Sequence, residues 1–430
     1  MKFTFVDLFA GIGGFHSALS SFGGRCVLAS EIDENAVNIY SHNWRNSNTD
    51  FPIVGDIREL TEGSNVKIPS HDVLTGGFPC QPFSKSGNQL GVNETRGTLF
   101  YNILQVIAAR KPKMVLLENV RNLVGPKHFE DYLVMVKLLR ELGYAVSTQP
   151  TIVSPHEVEL KLGGTPQHRD RVFIGAIRVG KSRAQKLSDL EPLISRQALK
   201  VNRPNWDLKK YLKDINENNN LARKELRISA NLESALKMWE EFLSEYRTRN
   251  ESNPPGFPMW TDYWFERSEI RIPKKTPEWK KSFINKNIAL YGNNSKWINK
   301  WKSRNGLKEF IPSLRKFEWQ AGDLESIFDG LIQFRPSGVR IKNPNYVPAF
   351  VAITQTPVLG WELRELSEFE AASLQGFPIN FDFVSQRRNL SLKQIGNAVH
   401  SGVAAIVFKA MIERAQALET PWAKDFSFDR

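Results

Sequence analysis

The sequence predicts an α/β fold in which a doubly wound parallel sheet is interrupted by a basic module. Two observations carry this prediction. First, short apolar runs alternate with helical patterns up to about residue 180. Second, the segment that follows is rich in lysine, asparagine and tryptophan. The length of 430 residues agrees with it, because one ordinary core rarely organises so long a chain.

The strands of the predicted sheet can be placed in order. Phe3–Phe9 (FTFVDLF) predicts a buried strand, and RCVLASEID, PIVGDI, HDVLTGG and KMVLLENV predict four more, separated by helices or loops. RVFIGAIRVG, residues 171–180, predicts a further strand. Ligands of such sheets lie at the carboxyl ends of the strands, so the functional residues are expected there.

The net charge of +12 is confined to the middle of the chain. Residues 181–342 hold 32 Lys+Arg and 20 Asp+Glu, whereas the remainder holds 26 of each. The same segment carries eight of the eleven tryptophans, most of which are expected in a core. A folded basic module suggests a polyanionic partner, although a merely soluble basic domain remains the alternative.

Apolar helical patterns return near the C-terminus, after the basic segment, so the sequence predicts a chain of three segments. These are a catalytic and cofactor-binding domain at 1–185, a basic domain at 186–390 that includes the motif at 364–378, and a C-terminal return to the first domain at 391–430. No signal-peptide pattern or membrane-spanning apolar run is expected, which favours a cytoplasmic protein. Two cysteines, without further ligands at useful spacing, suit neither a disulfide framework nor a metal site.

A glycine turn and two acids predict an adenosine site. DLFAGIGG, Asp7–Gly14, follows the first strand and opens a helix, and Glu31 and Asp56 end the next two strands. An ordinary tight turn with solvated acids is the alternative. Because His16 takes the place of the third glycine of a dinucleotide turn and Phe9 precedes the first, a ligand without pyrophosphate is favoured, and S-adenosylmethionine fits.

GGFPCQPFSKSG places Cys80 in a proline- and glycine-rich turn after the strand HDVLTGGF. Structural cysteines usually lie among apolar side chains, as expected for Cys26, so Cys80 is interpreted as a reactive thiol. Glu118 ends another strand and could donate a proton to a substrate. Arg169 and Arg171 alternate at the start of a strand, and both are expected to point the same way, towards a phosphate, a base carbonyl or Glu118.

Together these motifs resemble the DNA (cytosine-5) methyltransferases of the bacterial restriction-modification type. The resemblance runs nearly end to end and includes, in the family's order, DLFAGIGGF, SEID, GDI, GGFPCQPFSKSG, ENV, QHRDR, RELSEFEAASLQGFP and QIGNAVHSGVA. Glu368 and Phe369 depart from the Pro and Arg that are common in the family. The resemblance implies a methyltransferase sheet and places the basic module where such enzymes carry a target-recognition domain.

The resemblance also implies the chemistry. Cys80 would add to carbon 6 of cytosine while Glu118 protonates or hydrogen-bonds N3, after which carbon 5 takes the methyl group of S-adenosylmethionine, leaving S-adenosylhomocysteine. Arg171 would hold the base carbonyl, and Arg169 would support Glu118 and nearby backbone. The pattern of the family's cofactor site falls on Phe9, Gly11, Gly13, Glu31, Ile32, Asp56, Ile57 and Asn397.

DNA contacts are expected from two regions. Residues 84–97 are rich in glycine and polar residues and are interpreted as a lid, with Ser84 or Ser86 near the phosphates of a duplex whose cytosine is flipped out. An ordinary surface loop is the alternative. In the basic module the candidates are Arg335, Arg340 and Lys342.

The expected partner is double-stranded DNA, with a cognate restriction endonuclease acting on the same site without a stable complex. No membrane partner is expected, and a monomer is the usual arrangement among similar proteins. Two rival hypotheses remain at this point: methylation of cytosine in transfer RNA, and a sequence-specific DNA-binding repressor in which methylation is secondary or lost.

Overall fold

The computed structural model describes residues 2–45, 50–62, 66–79, 99–187, 190–216, 226–350 and 356–426. The chain divides into two compact units. The first comprises Met1–Trp206, Pro348–Ile353 and Glu368–Arg430, and the second comprises Asp207–Val347 and Thr354–Ser367.

Sixteen strands are found in the described part of the chain. They are β1 Phe3–Leu8, β2 Gly24–Ser30, β3 Ile53–Val54, β4 Val73–Gly77, β5 Met114–Val120, β6 Tyr144–Ala145, β7 Thr151–Val153, β8 Gln167–His168, β9 Arg171–Arg178, β10 Met259–Trp260, β11 Lys316–Gln320, β12 Leu331–Arg335, β13 Gly338–Lys342, β14 Val347–Pro348, β15 Val358–Leu359 and β16 Arg364–Glu365.

The α-helices of the same ranges number thirteen. They are α1 Gly14–Ser20, α2 Glu34–Trp44, α3 Ile57–Thr61, α4 Leu99–Arg110, α5 Phe129–Glu141, α6 Lys181–Lys186, α7 Arg196–Val201, α8 Leu208–Asn216, α9 Ala230–Asn250, α10 Glu278–Arg304, α11 Glu368–Leu374, α12 Arg388–Asn397 and α13 Ser401–Ala417.

The first unit is built on one open sheet in the order β3-β2-β1-β4-β5-β9-β6, with β7 also paired to β9. Strands β1 to β5 are parallel to their neighbours, which confirms the α/β class and brings their carboxyl ends to one edge. Strand β9, however, runs antiparallel to β5, β6 and β7. The expected parallel arrangement is therefore found from β1 to β5, but it does not extend to β9.

Both faces of this sheet are covered, because successive side chains of each strand point to opposite sides. Met114 and Leu116 belong to one buried cluster and Val115 and Leu117 to the other. Helix α13 packs on the first face, where Phe408 contacts Phe3 with ring centroids 5.4 Å apart. The C-terminal part of the chain thus completes the core of the first unit.

The second unit combines a sheet in the order β10-β11-β13-β12-β15-β16 with helices α9 and α10. Its core is aromatic: Trp239, Trp264 and Trp301 are fully buried, and Trp239 stacks on Phe317 at 4.8 Å. Trp297 and Trp319 are also buried in this core, so five of the eight tryptophans of the basic segment are core residues, as expected, whereas Trp279 is exposed.

The unit boundaries differ from the domain limits expected at residues 185 and 390. Leu193, Ile194 and Leu199 pack against the core of the first unit, which therefore extends to Trp206. At the other boundary the chain re-enters the first unit at Glu368, because α11 and α12 pack on each other within that unit.

By length and composition, the stretch Arg388–Ala417 is apolar enough to cross a membrane, which was not expected from the sequence. It is divided into α12 and α13, and 67% of its most apolar window is buried inside the protein. This burial is what the core helices of a globular unit show.

Candidate active site

The turn after β1 has an unusual backbone. Phe9, Gly11 and Gly13 all have positive φ, at 54°, 54° and 93°. Phe9 is the strained member, because a side chain disfavours this region. The carboxylate of Glu31 stabilises the turn: its Oε2 accepts from the Gly11 amide at 2.7 Å, and its Oε1 accepts from the amides of Ile32 and Asp33.

The turn borders open space that suits an adenosine ligand. A Cβ built on Gly11 would meet no atom of the described residues within 4 Å, whereas one on Gly13 would lie 2.1 Å from Nε1 of Trp44. Ile32, directly after Glu31, is 73% exposed, and an exposed aliphatic side chain beside a carboxylate can cover an adenine face while the acid accepts from ribose. The residues present therefore fit S-adenosylmethionine.

Asp56 occupies a different local structure from the one expected. Strand β3 ends at Val54, and Asp56 caps α3 by accepting from the Arg58 amide at 2.9 Å. Its Oδ2 also accepts from Nε of Arg58 at 2.8 Å, and these hydrogen bonds hold the pKa of Asp56 below its usual value. The expectation of a strand-end acid is wrong in this respect, and Ile57 is a buried first residue of α3.

A buried polar network lies behind the cofactor turn. Oδ1 of Asp7 accepts from the hydroxyl of Thr75 at 2.8 Å, and the hydroxyl of Tyr40 lies 2.7 Å from Nδ1 of His16. Burial raises the pKa of Asp7 to about 7 and lowers that of His16 to about 3. His16 also stacks on Trp44, so the residue that replaces the third glycine packs under the turn.

Glu118 is the buried acid at the same sheet edge. It is 8% exposed, its Oε1 lies 3.0 Å from Nε of Arg171, and burial raises its pKa against the opposing effects of Arg171 and Arg169. Gly77 pairs with Glu118 across β4 and β5, and a Cβ on Gly77 would lie 3.7 Å from Oε2 of Glu118. The arrangement places a carboxyl group whose pKa lies above its usual value close to the end of β4.

Asn119 has a function that could not be assigned from the sequence. Its side-chain amide donates to the carbonyl of Phe78 at 2.9 Å, and its Oδ1 accepts from the Val120 amide at 2.8 Å. It thus fixes the backbone just beyond β4. Its position directly after Glu118 at a strand end was the available signal, but its hydrogen-bond partner lies 41 residues away in the chain.

Arg169 and Arg171 make different contacts, although both guanidinium groups oppose the rise in the pKa of Glu118 that burial causes. Arg169 precedes β9, is 2% exposed, and donates to the carbonyls of Phe350, Gly396 and Ala398 at 2.9–3.0 Å. Burial and the neighbouring Arg171 lower the pKa of Arg169 to about 9. Arg171 makes the ion pair with Glu118, whereas Arg169 fixes the backbone on both sides of the exposed residue Asn397.

The remaining predicted site residues fall into two groups. Cys80, Ser84, Ser86 and the rest of the expected lid at 84–97 lie outside the described residues. Arg335, Arg340 and Lys342 lie on β12 and β13 of the second unit. A cluster of three or more metal-ligating side chains is not found in the described ranges.

An α/β sheet with a glycine turn and the carboxyl groups of Glu31 and Glu118 at one edge is typical of enzymes that bind a nucleoside cofactor. Within that class, the model of the C-5 cytosine-specific DNA methylases matches residues 3–413. The chain belongs to this family and is a DNA (cytosine-5) methyltransferase, for which S-adenosylmethionine is the implied methyl donor.

Similar proteins agree with this assignment. The Type II methyltransferase M.AluI of Cellulosimicrobium cellulans is 36% identical over 97% of this chain and 93% of its own length. M.HpaII of Haemophilus parainfluenzae is 42% identical, but over 40% of this chain and 45% of its own. An E. coli crystal structure described as a prophage-encoded DNA modification methyltransferase shares the fold, with a TM-score of 0.51, 20% identity and coverage of 95% and 98%.

Two glycine substitutions should separate the fold from cofactor binding. The methyl group of Gly11→Ala would meet no described atom, but its positive φ of 54° is strained for alanine, so we expect a loss of stability of about 1 kcal/mol. Because the methyl group enters the proposed cofactor space, binding of S-adenosylmethionine should weaken at least about tenfold. Gly13→Ala drives its methyl group into Trp44 and should lower the melting temperature more. Calorimetric titration and thermal unfolding test this contrast; unchanged cofactor affinity of Gly11→Ala would contradict it.

Proposed function

We propose that the enzyme methylates carbon 5 of a flipped-out cytosine within a specific short sequence of double-stranded DNA, through a covalent adduct between Cys80 and carbon 6. The observation that carries this proposal is Glu118: a buried acid with a raised pKa at the edge where β4 leads to Cys80. Such an acid holds its proton more tightly than a solvated glutamate does, and it can deliver that proton to a base nitrogen.

The roles of the chain's own groups follow from this arrangement. The thiolate of Cys80 forms a bond to carbon 6 while N3 takes a proton from Glu118, which makes carbon 5 enamine-like. After carbon 5 is methylated, its proton leaves to solvent, the Sγ–C6 bond breaks, and Glu118 regains its proton from N3. Arg171 orients Glu118 through the 3.0 Å ion pair and can present its remaining N–H groups to the base carbonyl.

The cofactor is held by the turn residues Phe9, Gly11 and Gly13, by Glu31 and Ile32 at the ribose and adenine, by Asp56 and Ile57 at the adenine edge, and by Asn397. When bound, S-adenosylmethionine supplies an electrophilic methyl group. Glu31 contributes by orienting the Gly11 amide, and Arg169 by fixing the carbonyls that flank Asn397. The carboxylate of Asp56 also accepts from Arg58, so it would bind adenine and Arg58 at the same time.

We propose target recognition for the second unit. Its lysines and arginines suit phosphate contacts, and Arg335, Arg340 and Lys342 are the candidates for DNA binding, with Ser84 or Ser86 at the phosphates beside the flipped base. The similar proteins named as Type II methyltransferases support a role in protecting host DNA from a cognate endonuclease. The enzyme would act as a cytoplasmic monomer, without a stable complex with that endonuclease and without a metal ion.

The test is methyl transfer from labelled S-adenosylmethionine to long mixed-sequence duplex DNA, with 5-methylcytosine mapped at base resolution and Cys80→Ala measured in parallel. We expect methylation at one short motif for the wild type and at no position for the variant, because the thiol is the nucleophile. Cofactor binding by Cys80→Ala serves as the folding control. Methylation by the variant at the same motif would contradict the covalent mechanism.

A further inference from the structure

The sheet of the second unit has two chemically different faces. Phe317, Trp319, Ile332, Val339 and Ile341 point to one face and belong to the buried core of that unit. Because side chains alternate along a strand, their neighbours lie on the opposite face. The polar members of this second face are Lys316, Glu318, Gln320, Gln333, Arg335, Arg340 and Lys342.

Strand register brings the central members of this polar face together. Arg340 on β13 is paired with Glu318 on β11 and with Gln333 on β12, so all three lie side by side across neighbouring strands. Arg335 is the last residue of β12, two residues after Gln333, and it also binds the carboxylate of Glu318. One acidic side chain therefore stands among several basic and amide side chains.

Glu318 holds two guanidinium groups on one oxygen. Its Oε2 accepts from a terminal nitrogen of Arg335 at 2.7 Å and from Nε of Arg340 at 2.9 Å, and it forms an ion pair with Nη2 of Arg340 at 2.8 Å. Gln320 donates to Oε1. Glu318 is 6% exposed, so its carboxylate is shielded from water. Within the described residues, Nε of Arg335 is buried without a hydrogen-bond partner.

This arrangement leaves a surplus of positive charge and of donors. One carboxylate cannot neutralise Arg335 and Arg340, and burial together with these arginines lowers the pKa of Lys342. A buried ion cluster of this kind is a weak source of stability, because desolvation offsets most of the attraction. The surplus of positive charge and of N–H donors is accounted for if the cluster orients the arginines for a ligand. Such a ligand must present hydrogen-bond acceptors.

We infer that Glu318 is a positioning residue that presents Arg335 and Arg340 to guanine within the target sequence, so that this polar sheet face reads the DNA. The inference rests on the proposed function, since it assumes a duplex substrate. Guanine offers two acceptors, O6 and N7, on its major-groove edge, and a planar guanidinium matches them with two donors. Glu318 does not contact the base in this proposal. Its carboxylate accepts hydrogen bonds from the two arginines and so restricts their rotamers.

The local shape of the chain suits this function. Strands β12 and β13 form a hairpin whose connecting residues, Pro336 and Ser337, are exposed. Strand β12 pairs with its other neighbour, β15, only through Leu331 and Ile332, so the end of β12 that carries Arg335 extends beyond β15. Gly338 has a φ of +133°, and a Cβ there would lie 2.8 Å from Cβ of Lys316, so glycine permits the close approach of β13 to β11.

The experiment compares the sequence preference of Glu318→Gln with that of the wild type. The kcat/KM of methylation is measured on the cognate duplex and on duplexes with one base pair changed at each position. We expect discrimination to fall roughly 10- to 100-fold at a guanine position, while other positions keep theirs. Glu362→Gln is the matched control, because Glu362 also pairs with an arginine of this sheet, Arg364, at 2.7 Å.

A second variant keeps the test decisive if Glu318→Gln does not fold. Arg340→Lys retains the positive charge but loses the planar pair of donors, so guanine discrimination should fall while the salt dependence of DNA binding is kept. Unchanged relative preferences in the folded variants, whatever their overall rates, would overturn the inference. Wild-type enzyme that methylates no duplex at all would instead overturn the proposed function on which it rests.

Discussion

The Glu118→Gln enzyme is expected to transfer methyl groups about 10²- to 10⁴-fold more slowly than the wild type, because a positioned proton donor contributes a factor of this size. Glutamine keeps the shape of the side chain and can still donate a hydrogen bond, but it cannot give up a proton to N3. The loss should appear in kcat, measured by single-turnover transfer to a cognate duplex, with cofactor affinity little changed.

The stability of the same variant provides an independent check. Burial raises the pKa of Glu118 in the folded state. The contribution of the protonated side chain to the free energy of unfolding is therefore complete below the pKa of the unfolded state, and it is lost as the pH rises through the pKa of the folded state. Glu118→Gln should therefore keep or gain unfolding free energy at pH 8, as measured in urea. A variant that is slow because it is unfolded would contradict this account.

Glu157→Gln is the matched control for Glu118→Gln. Glu157 is also a buried glutamate of the first unit, and its Oε1 lies 3.2 Å from a terminal nitrogen of Arg196. Since it has no proposed contact with the base, methyl transfer should stay within a few-fold of the wild type. An equal loss of activity in both variants would show that any buried carboxylate of this unit has the same effect.

Arg169→Met is expected to destabilise the protein by about 3 kcal/mol, because three buried carbonyl groups lose their donor. Part of the cost is offset, because the substitution also removes a buried guanidinium group whose Nε has no hydrogen-bond partner among the described residues. The structure adds a more specific consequence. Gly396 and Ala398 flank Asn397, so cofactor affinity should fall beyond what the loss of stability explains.

Arg140→Met separates these two effects. Arg140 donates from Nε and Nη2 to the carbonyl of Val146, so its replacement also leaves a backbone acceptor without that donor, but away from Asn397. Denaturant unfolding and calorimetric titration with S-adenosylmethionine are measured on both variants well below the melting temperature. If Arg140→Met weakens cofactor binding as much as Arg169→Met, the positioning function of Arg169 is refuted.

The fold could be predicted from the sequence where local pattern determines it. Alternating apolar runs and helical segments identified strands β1, β2, β4 and β5, and the glycine turn located the first strand-to-helix junction. The direction of β9 could not be predicted, because its apolar run RVFIGAIR has the same pattern in either orientation. Likewise, PIVGDI has the pattern of a strand, but the strand ends at Val54 and Asp56 caps the start of helix α3.

Site prediction from sequence was limited by partners that are distant in the chain. The alternation of Arg169 and Arg171 could not reveal what Arg169 binds, because its hydrogen-bond acceptors are at least 181 residues away in the chain. Glu318 gave no signal of its own, because its arginine partners lie 17 and 22 residues ahead on different strands. Only the register of β11, β12 and β13 brings them together.

The covalent intermediate is the central claim, and trapping it tests that claim most directly. A duplex that carries 5-fluorocytosine at the target position should react with the enzyme and S-adenosylmethionine, but fluorine cannot leave carbon 5 as a proton does, so Cys80 cannot be released. Mass spectrometry should then find the modified base on the peptide that contains Cys80, and no adduct with Cys80→Ala. Full methylation of ordinary DNA without any trapped adduct would contradict the mechanism.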